Sequence, residues 1–176
     1  TVTGGITFSG GGLTFAPGGG GTQKAIFGYG STGTNTAITN LVSNTGVVAN
    51  DVTGVGTARS ELAAAGYGTD KAIFGFGTPM TAITNKVSNT GVVATDTTGV
   101  GTARAGVAAA TYGSDKAIFG YGNTGAVVSM TNLVSNTGVV ATDTTGVGTA
   151  RDSLAVPTPV VSVATTPVLL TRLVIE

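Results

Sequence analysis

Short apolar segments alternate with stretches rich in Gly and Asn along most of this 176-residue chain. Between residues 60 and 97 the apolar segments are 60–67, 71–76, 81–88 and 91–97. Turn residues that recur about every ten positions are typical of an all-β architecture. The pattern therefore predicts an all-β chain of roughly a dozen or more short strands, with essentially no helix.

The segment Lys24–Tyr29 is apolar on both of its alternating faces. Ala25, Phe27 and Tyr29 share one face, and Ile26 and Gly28 share the other. A strand that is apolar on both faces must lie between two layers. We therefore expect this strand to be sandwiched between neighbouring sheets.

Three other segments have distinct predictions. Leu62–Tyr67 is rich in Ala, a good helix former, but it is short and ends in Gly-Tyr-Gly, so we expect an inner strand of small residues near the axis of a radial assembly. Asn44–Gly46 is typical of a tight hairpin between the third and fourth strands. Thr97–Gly101 is expected to cross flexibly to the next unit.

A unit of this kind is written three times in succession. Lys24–Gly30 returns at Lys71–Gly77 and at Lys116–Gly122, with spacings of 71 − 24 = 47 and 116 − 71 = 45 residues. Thr84–Arg104 and Thr131–Arg151 agree at 20 of 21 positions. Such a period indicates a solenoid, a propeller or an array. Residues 24–151 form the repeats, preceded by N-terminal strands and a Gly-rich linker at 1–23 and followed by a Pro-interrupted segment at 152–176.

Four antiparallel strands per unit, repeated about an axis, form a β-propeller blade. Each unit opens at an Arg (Arg59, Arg104) and runs through a strand of small residues, the KAIFGYG strand and a further strand before the next Arg. This order resembles a kelch repeat over residues 13–151. The phrases KAIFGYG and TNLVSNTGVVATDTTGVGTAR also resemble repeats in structural proteins of marine phage and related environmental sources. That resemblance implies a component of a virion or extracellular assembly.

A β-solenoid or another stack of β-layers is the alternative fold, since Gly- and Thr-rich repeats build those as well. Propellers have about four to eight blades, so three units need completion by the termini or by other copies. The apolar tail 168–176 follows three prolines, and we expect it to dock on a neighbouring chain. The functional form is accordingly predicted to be a homo-oligomer or part of a larger assembly.

Composition narrows the possible functions. Only 9% of residues are charged, eight basic side chains balance eight acidic ones, and Cys and His are absent. Nucleic-acid binding requires a clustered basic surface, so we expect no nucleic-acid partner. We also expect no membrane insertion, because no apolar run of about 20 residues is present. Without His or Cys, the commonest general base, thiolate nucleophile and zinc ligands are missing, so neither catalysis nor a cofactor is predicted.

Several motifs have a simple structural explanation. Gly28–Gly33 and Gly120–Gly125 fit G-x-G-x-x-G, but a dinucleotide site needs a following helix, and a loop and strand are expected instead. The recurring acids Asp51, Asp96 and Asp143 offer too few oxygens for calcium, so we interpret them as capping turns or pairing with Arg. Asp70-Lys71 and Asp115-Lys116 are expected at hairpin turns. Only Glu61 and Glu176 could supply glutamates to a glycosidase pair.

The units differ most in the loop between their second and third strands. Variation confined to one loop on a repeated scaffold is what an interaction surface would show, although a tolerant surface loop shows it too. The Tyr residues beside Gly could stack on sugars if exposed, but their repeated placement favours the core. The candidate ligand or partner surface comprises Ser31, Thr32, Thr34, Asn35, Thr78, Met80, Asn123, Thr124, Tyr29 and Tyr121.

These observations predict a non-enzymatic structural or interaction protein of an extracellular or virion assembly. The alternative is a carbohydrate-binding module for adhesion or receptor binding, with cell-surface glycans as its partners.

Overall fold

The computed structural model describes residues 25–156 together with two strands nearer the N-terminus, at residues 6–9 and 12–15. This described part contains ten strands in small antiparallel sheets and no helix, which confirms the all-β prediction. The Gly-rich stretch at 16–24 and the C-terminal segment from residue 157, predicted to dock on a neighbour, lie outside the described residues.

Each repeat contributes one sheet, and its strands follow each other in chain order. Ahead of the repeats lies a hairpin of β1 (Ile6–Ser9) and β2 (Gly12–Phe15). The first repeat contributes β3 (Ala25–Gly28) and β4 (Thr39–Val42). The second contributes β5 (Ala63–Tyr67), β6 (Lys71–Gly75) and β7 (Thr84–Val87). The third contributes β8 (Ala108–Tyr112), β9 (Lys116–Gly120) and β10 (Thr131–Val134).

The Ala-rich segments form strands as predicted. Ala64 pairs with Phe74 and Ala65 with Ile73 across β5 and β6, so pairing within the sheet overrides the helix propensity of alanine. The small side chains also let the inner strands of adjacent repeats approach each other. The Thr111 hydroxyl of β8 donates to the Gly66 carbonyl oxygen of β5 at 3.0 Å.

The predicted fourth strand is present only as isolated bridges, so the four-stranded blade is reduced to sheets of two or three strands. Residues 91–97 return alongside β7, where Val87 bridges Val93 and the Thr97 amide donates to the Thr84 carbonyl at 2.9 Å. Between them the Asn85 side chain donates to the Ala94 carbonyl at 3.0 Å, replacing a backbone donor. No closed barrel or propeller is seen among the described strands.

A tight turn joins the third strand of each repeat to this returning segment. The Gly46 amide donates to the Ser43 carbonyl at 3.0 Å, and Gly91 and Gly138 repeat the contact with Ser88 and Ser135. Gly46 has φ of 81°, which glycine adopts without steric cost. The predicted turn at Asn44–Gly46 is therefore present.

Consecutive sheets pack face to face, but the prediction that the Lys24–Tyr29 strand is sandwiched is wrong, because Phe27 of β3 is 62% exposed and no repeat precedes it among residues 25–156. Phe74 of β6 lies against Gly28 of the first repeat, and Phe119 of β9 lies against Gly75 of the second. Phe74 and Phe119 also make edge-to-face contacts with Tyr29 and Phe76, with ring centroids 5.2 Å apart in both pairs. Two apolar clusters, one at each junction between repeats, thus form the core.

The turn between β5 and β6 provides a first testable prediction. Gly68 and Thr69 both have positive φ, 59° and 70°, and a β-branched residue is strained in that conformation by about 1–3 kcal/mol. Replacing Thr69 with Gly should raise the free energy of unfolding by about 1 kcal/mol, measured by urea denaturation. Thr98→Gly, at an exposed position without positive φ, is the control and should lower it through chain entropy. A loss of stability in Thr69→Gly would contradict the prediction.

Candidate functional site

The variable loops begin where the second strand of each repeat ends in an aromatic–glycine pair. Tyr29 and Gly30 have φ of 65° and 106°, and the pairs beginning at Phe76 and Tyr121 repeat these values closely. Two successive residues with positive φ turn the chain sharply out of the sheet. Glycine is needed at the second position, because other residues are rarely found near that φ. A loop and strand follow Gly28–Gly33 and Gly120–Gly125, not the helix of a dinucleotide site.

In the first loop, most candidate residues are exposed. Ser31, Thr32 and Thr34 face solvent, while Asn35 is half-buried. The loop closes on itself through a bridge between Ser31 and Asn35. Asn35 also reaches the second repeat, because its side-chain amide donates to the Thr78 carbonyl at 2.8 Å.

The second and third loops are anchored by side-chain hydrogen bonds to acidic residues that closely follow an arginine of the repeat. The Thr78 hydroxyl donates to Glu61 at 3.0 Å, and Met80 is 51% exposed beside it. In the third loop the Asn123 amide donates to the Asp152 carboxylate at 3.3 Å. Thr124 is half-buried, and its hydroxyl donates to the Ala126 carbonyl within the same loop at 3.4 Å.

Backbone pairing places the three loops along one edge of the array. Thr78 pairs with Ser60, and Asn123 pairs with Ala105. The two pairs are connected because the Gly106 amide donates to the Glu61 carbonyl at 3.0 Å. Together with the Asn35–Thr78 contact, these bonds form a continuous row that displays hydroxyls, amides and the apolar Met80. We call this row the loop edge.

The two candidate tyrosines do not belong to the exposed part of the loop edge. Tyr29 is 9% exposed, its hydroxyl donates to the Val55 carbonyl at 3.0 Å, and burial raises its pKa. Its ring lies under the Arg59 guanidinium, 4.4 Å from the ring centroid. Tyr121 is half-buried and lies under Arg151 in the same way, at 4.7 Å. Each tyrosine presents one face to an arginine.

Arg59 and its equivalent Arg104 belong to a buried polar network that the sequence analysis did not identify. Arg59 is fully buried, and its Nε donates to the Phe76 carbonyl at 2.9 Å. Its Nη1 donates to the Thr57 carbonyl at 3.0 Å, and its Nη2 donates to the Asn85 side chain. Arg104 repeats all three contacts, with Tyr121, Thr102 and Asn132. The signal in the sequence was the Gly-Thr-Ala-Arg phrase, identical in all three units.

An aspartate completes each network and joins two repeats. Asp96 of the second repeat accepts hydrogen bonds from the amide and hydroxyl of Thr57, at 2.9 and 2.6 Å, and from Asn85 at 2.8 Å. It lies 3.7 Å from Arg59, and Asp143 lies 3.5 Å from Arg104. The interpretation of these two acids as partners of arginine is confirmed. At the turns before β6 and β9, Asp70 forms an ion pair with Lys71 at 2.8 Å, and Asp115 forms one with Lys116 at 3.0 Å.

The network also fixes the charge state of its acids. Partial burial acts to raise the pKa of Asp96, but the hydrogen bonds from Thr57 and Asn85 outweigh it, so the pKa lies below its ordinary value of 3.8. The pKa of Asp143 is lowered for the same reasons, with Thr102 and Asn132 as the donors. Burial lowers the pKa of both Arg59 and Arg104, although a guanidinium stays protonated in proteins.

The segment between repeats is held by the same contacts. In Thr97–Gly101, expected to be a flexible crossing, the Thr97 hydroxyl contacts Thr84 and Gly101 lies against the Asp143 carboxylate.

Within the described part of the chain no group of three or more acids suitable for a metal ion occurs. That part also contains no helix long and apolar enough to cross a membrane.

Comparisons with known proteins place few constraints on this chain. No protein-family model and no curated protein matches it. Among solved structures, it is similar to a fungal alcohol oxidase of the AA5 family in complex with copper, with 14% identity and a TM-score of 0.49. That similarity covers 65% of this chain and 26% of the oxidase. The chain thus spans about a quarter of the solved structure's length.

The buried arginine predicts a large stability effect. Arg104→Ala would leave Asn132, Asp143 and the Tyr121 carbonyl without their cationic partner, and breaking a buried pair typically costs about 3–5 kcal/mol. Urea denaturation should show a loss of that order. Lys116→Ala removes an exposed cation paired at a turn and should cost less than about 1 kcal/mol. Equal losses in the two variants would contradict the structural role of Arg104.

The aspartates predict a pH dependence with a definite sign. Because their folded-state pKa values are lowered, Asp96 and Asp143 stabilise the fold fully above the unfolded value of 3.8, and this contribution is lost as the pH falls through the folded values. The double variant Asp96→Asn/Asp143→Asn should therefore be less stable than the parent at pH 7. Below about pH 4 its thermal unfolding midpoint should fall less steeply. Parallel curves from pH 7 to pH 2.5 would contradict this assignment.

Proposed function

We propose that this protein is a non-enzymatic structural or interaction component of an extracellular or virion assembly, in which a repeated β scaffold presents variable loops. One observation carries the proposal. The residues that recur between units, such as Arg59, Asn85 and Asp96, are committed to the junctions between repeats. The loops in which the units differ most lie on the loop edge.

The chemistry of the recurring polar groups supports a structural role. Asp96 and Asp143 receive hydrogen bonds from threonine and asparagine and face arginines. Glu61 accepts the Thr78 hydroxyl. Carboxylates held in this way are occupied in positioning neighbouring segments, and a catalytic pair would need two free carboxylates on either side of a substrate.

A propeller-like arrangement with kelch-like order is part of this proposal. Consecutive sheets stack through the same Phe–Gly and Arg–Asn–Asp contacts, so each repeat relates to the next in a similar way. Inner strands of small residues approach each other at Gly66 and Thr111, as they would near the axis of a radial assembly. Repetition of one such step about an axis is the construction principle of a propeller.

The alternative function is carbohydrate binding at the loop edge. The contact between Asn35 and the Thr78 carbonyl brings two variable loops together, and Ser31 and Thr32 add exposed hydroxyls beside them. Hydroxyls and amides gathered in one row can exchange hydrogen bonds with the hydroxyls of a sugar. The exposed Met80 would supply apolar contact.

A glycan array separates the two functions. We expect no dose-dependent binding to any sugar class, because the loops in a structural component face protein partners. Saturable binding to one class would favour the carbohydrate-binding alternative, provided that Thr32→Ala/Met80→Gln abolishes it. Thr98→Ala, exposed and away from the loop edge, is the matched control and should leave any such binding unchanged.

A further inference from the structure

Both junctions within the chain are built from the same two complementary faces. At each one, a face with Gly, an aromatic ring and the Gly-Thr-Ala-Arg segment meets a face with Phe, Val, Asn and Asp. Phe74 on Gly28 and Arg59 with Asn85 form the first junction. Phe119, Arg104 and their partners form the second. Among the described residues, the three-repeat array therefore ends in one face of each kind that no other repeat covers; we call these the unused faces.

The unused face on the first repeat is the head face, defined by Phe27, Asn40, Val48 and Asp51. Phe27 is 62% exposed, whereas its equivalents Phe74 and Phe119 are 4% and 0% exposed. Val48 is 52% exposed, but its equivalent in the second repeat is buried. These differences arise because the head face has no preceding repeat among residues 25–156.

The polar half of the head face is already arranged to receive an arginine. Asn40 donates to Asp51 at 2.8 Å, which matches the Asn85–Asp96 bond of 2.8 Å in the second repeat. In the second repeat, the Asn85 side-chain oxygen accepts a hydrogen bond from Arg59, and the Asp96 carboxylate accepts one from the Thr57 hydroxyl. Within the described residues, no arginine or threonine from another segment bonds to Asn40 or Asp51.

The unused face on the third repeat is the tail face, defined by Tyr121, Thr149 and Arg151. Gly148, which opens its Gly-Thr-Ala-Arg segment, has φ of 81°, against 80° and 82° at Gly56 and Gly101. Arg151 stacks on Tyr121 and donates to the Thr149 carbonyl at 3.3 Å, as Arg59 and Arg104 do at their own sites. The backbone therefore turns at Gly148 in the same way as at the equivalent glycines of the two internal junctions.

Within residues 25–156, no carboxylate meets the tail face. Gly56 and Gly101 lie against the carboxylates of Asp96 and Asp143, but the described atom closest to a Cβ at Gly148 is the Tyr121 hydroxyl, 3.9 Å away. The Arg151 side chain is exposed, although Arg59 and Arg104 are fully buried. Among the described residues, only the Thr149 carbonyl accepts a hydrogen bond from Arg151.

We propose that the tail face of one copy of this chain binds the head face of a second copy, reproducing the internal junction. Arg151 would bond to Asn40 and Asp51 of the second copy, and Thr149 would bond to the same Asp51. This inference rests on the proposed assembly function and names the interface through which assembly occurs. Contact between the two faces of one chain would require a ring of three units, fewer than the roughly four of the smallest propellers.

An interface between unlike faces either closes into a ring or continues as a filament. Two chains joined at both ends would bring six repeats together, within the range of about four to eight blades that closed propellers have. A closed dimer leaves no unused face, whereas a filament always leaves two. We therefore expect the closed dimer to be the smallest stable species.

Disulfide trapping tests the interface directly, since the chain has no cysteine of its own. Thr149→Cys and Asp51→Cys, prepared separately, mixed and oxidised, should give a covalent dimer on a non-reducing gel, and neither variant should give it alone. Thr57→Cys/Asp96→Cys in one chain is the matched control. Its side chains are in contact at 2.6 Å, so it should form a disulfide within the monomer.

The double variant Thr149→Cys/Asp51→Cys distinguishes the occupants of the two faces. Disulfides between chains support the proposal. A disulfide within one chain would show that a single chain closes on itself, and thiols that stay reduced would show that another segment, such as residues 1–24 or 157–176, covers the faces. Either result overturns the proposal.

Sedimentation velocity of variants without cysteine gives an independent measurement. Arg151→Glu and Asp51→Arg should each weaken self-association at least tenfold, and mixing the two should restore a heterodimer because the exchanged charges again face each other. Lys116→Glu, away from both faces, should have no effect. A monomeric parent would overturn both the interface and the assembly function. Oligomers without the 149–51 disulfide would overturn the interface alone.

Discussion

The guanidinium of Arg59, with its counterpart in Arg104, is the group on which the arrangement of the repeats depends. Burying a charge is costly unless hydrogen bonds and an opposite charge compensate. Here the compensating groups come from three separate segments: the crossing at Thr57, the strand end at Phe76 and the third strand at Asn85. One side chain thus fixes the position of three backbone segments, and Asp96 ties the crossing to the next repeat.

The arginine also accounts for the unusual backbone at the end of the second strand. Phe76 has φ of 65°, which costs a non-glycine residue about 1–3 kcal/mol. In this conformation its carbonyl accepts a hydrogen bond from Arg59 of the first repeat, while its ring lies 4.3 Å from Arg104 of its own repeat, which bonds to the third repeat. The aromatic residue therefore serves two junctions at once. Tyr121 combines the same two contacts, with Arg104 at its carbonyl and Arg151 over its ring.

The strands and turns that could be predicted from the sequence are those in which nearby residues favour the conformation that the strand pairing also requires. The Ala-rich strand that ends before Gly68 and the turn at Gly46 are of this kind, because a glycine follows the strand and another lies in the turn. The fourth strand could not be foreseen as incomplete, since the Asn85 side chain takes the Ala94 carbonyl that a ladder would have used. The arginine network was missed because arginine is rarely fully buried. Asp96 was recognised as a partner of arginine because it recurs in each unit, but its other partner Asn85 is distant from Arg59 in sequence and was not recognised.

The loop edge illustrates the same limit for the candidate site. Its exposed members, such as Thr32 and Met80, were found because the units differ there, and differences between repeats indicate positions that the junctions do not constrain. Tyr29 adjoins the same loop in sequence, yet its positive φ directs the ring towards Arg59 and away from the loop. Residues that are adjacent in the sequence, such as Tyr29 and the loop after it, can therefore point to different parts of the structure.

Repeat arrays in which each unit contacts only its neighbours carry an energetic problem at their ends, because an end unit exposes the surface that its neighbours bury. Arrays that remain single usually have end units whose outer face is polar. In this chain the first repeat keeps Phe27, Asn40 and Asp51, and the third keeps Thr149 and Arg151, with the same residue types as the internal junctions. Within residues 25–156, both ends therefore keep the residue types that bond at the internal junctions. A further repeat with the complementary face could pack against either end in the same way.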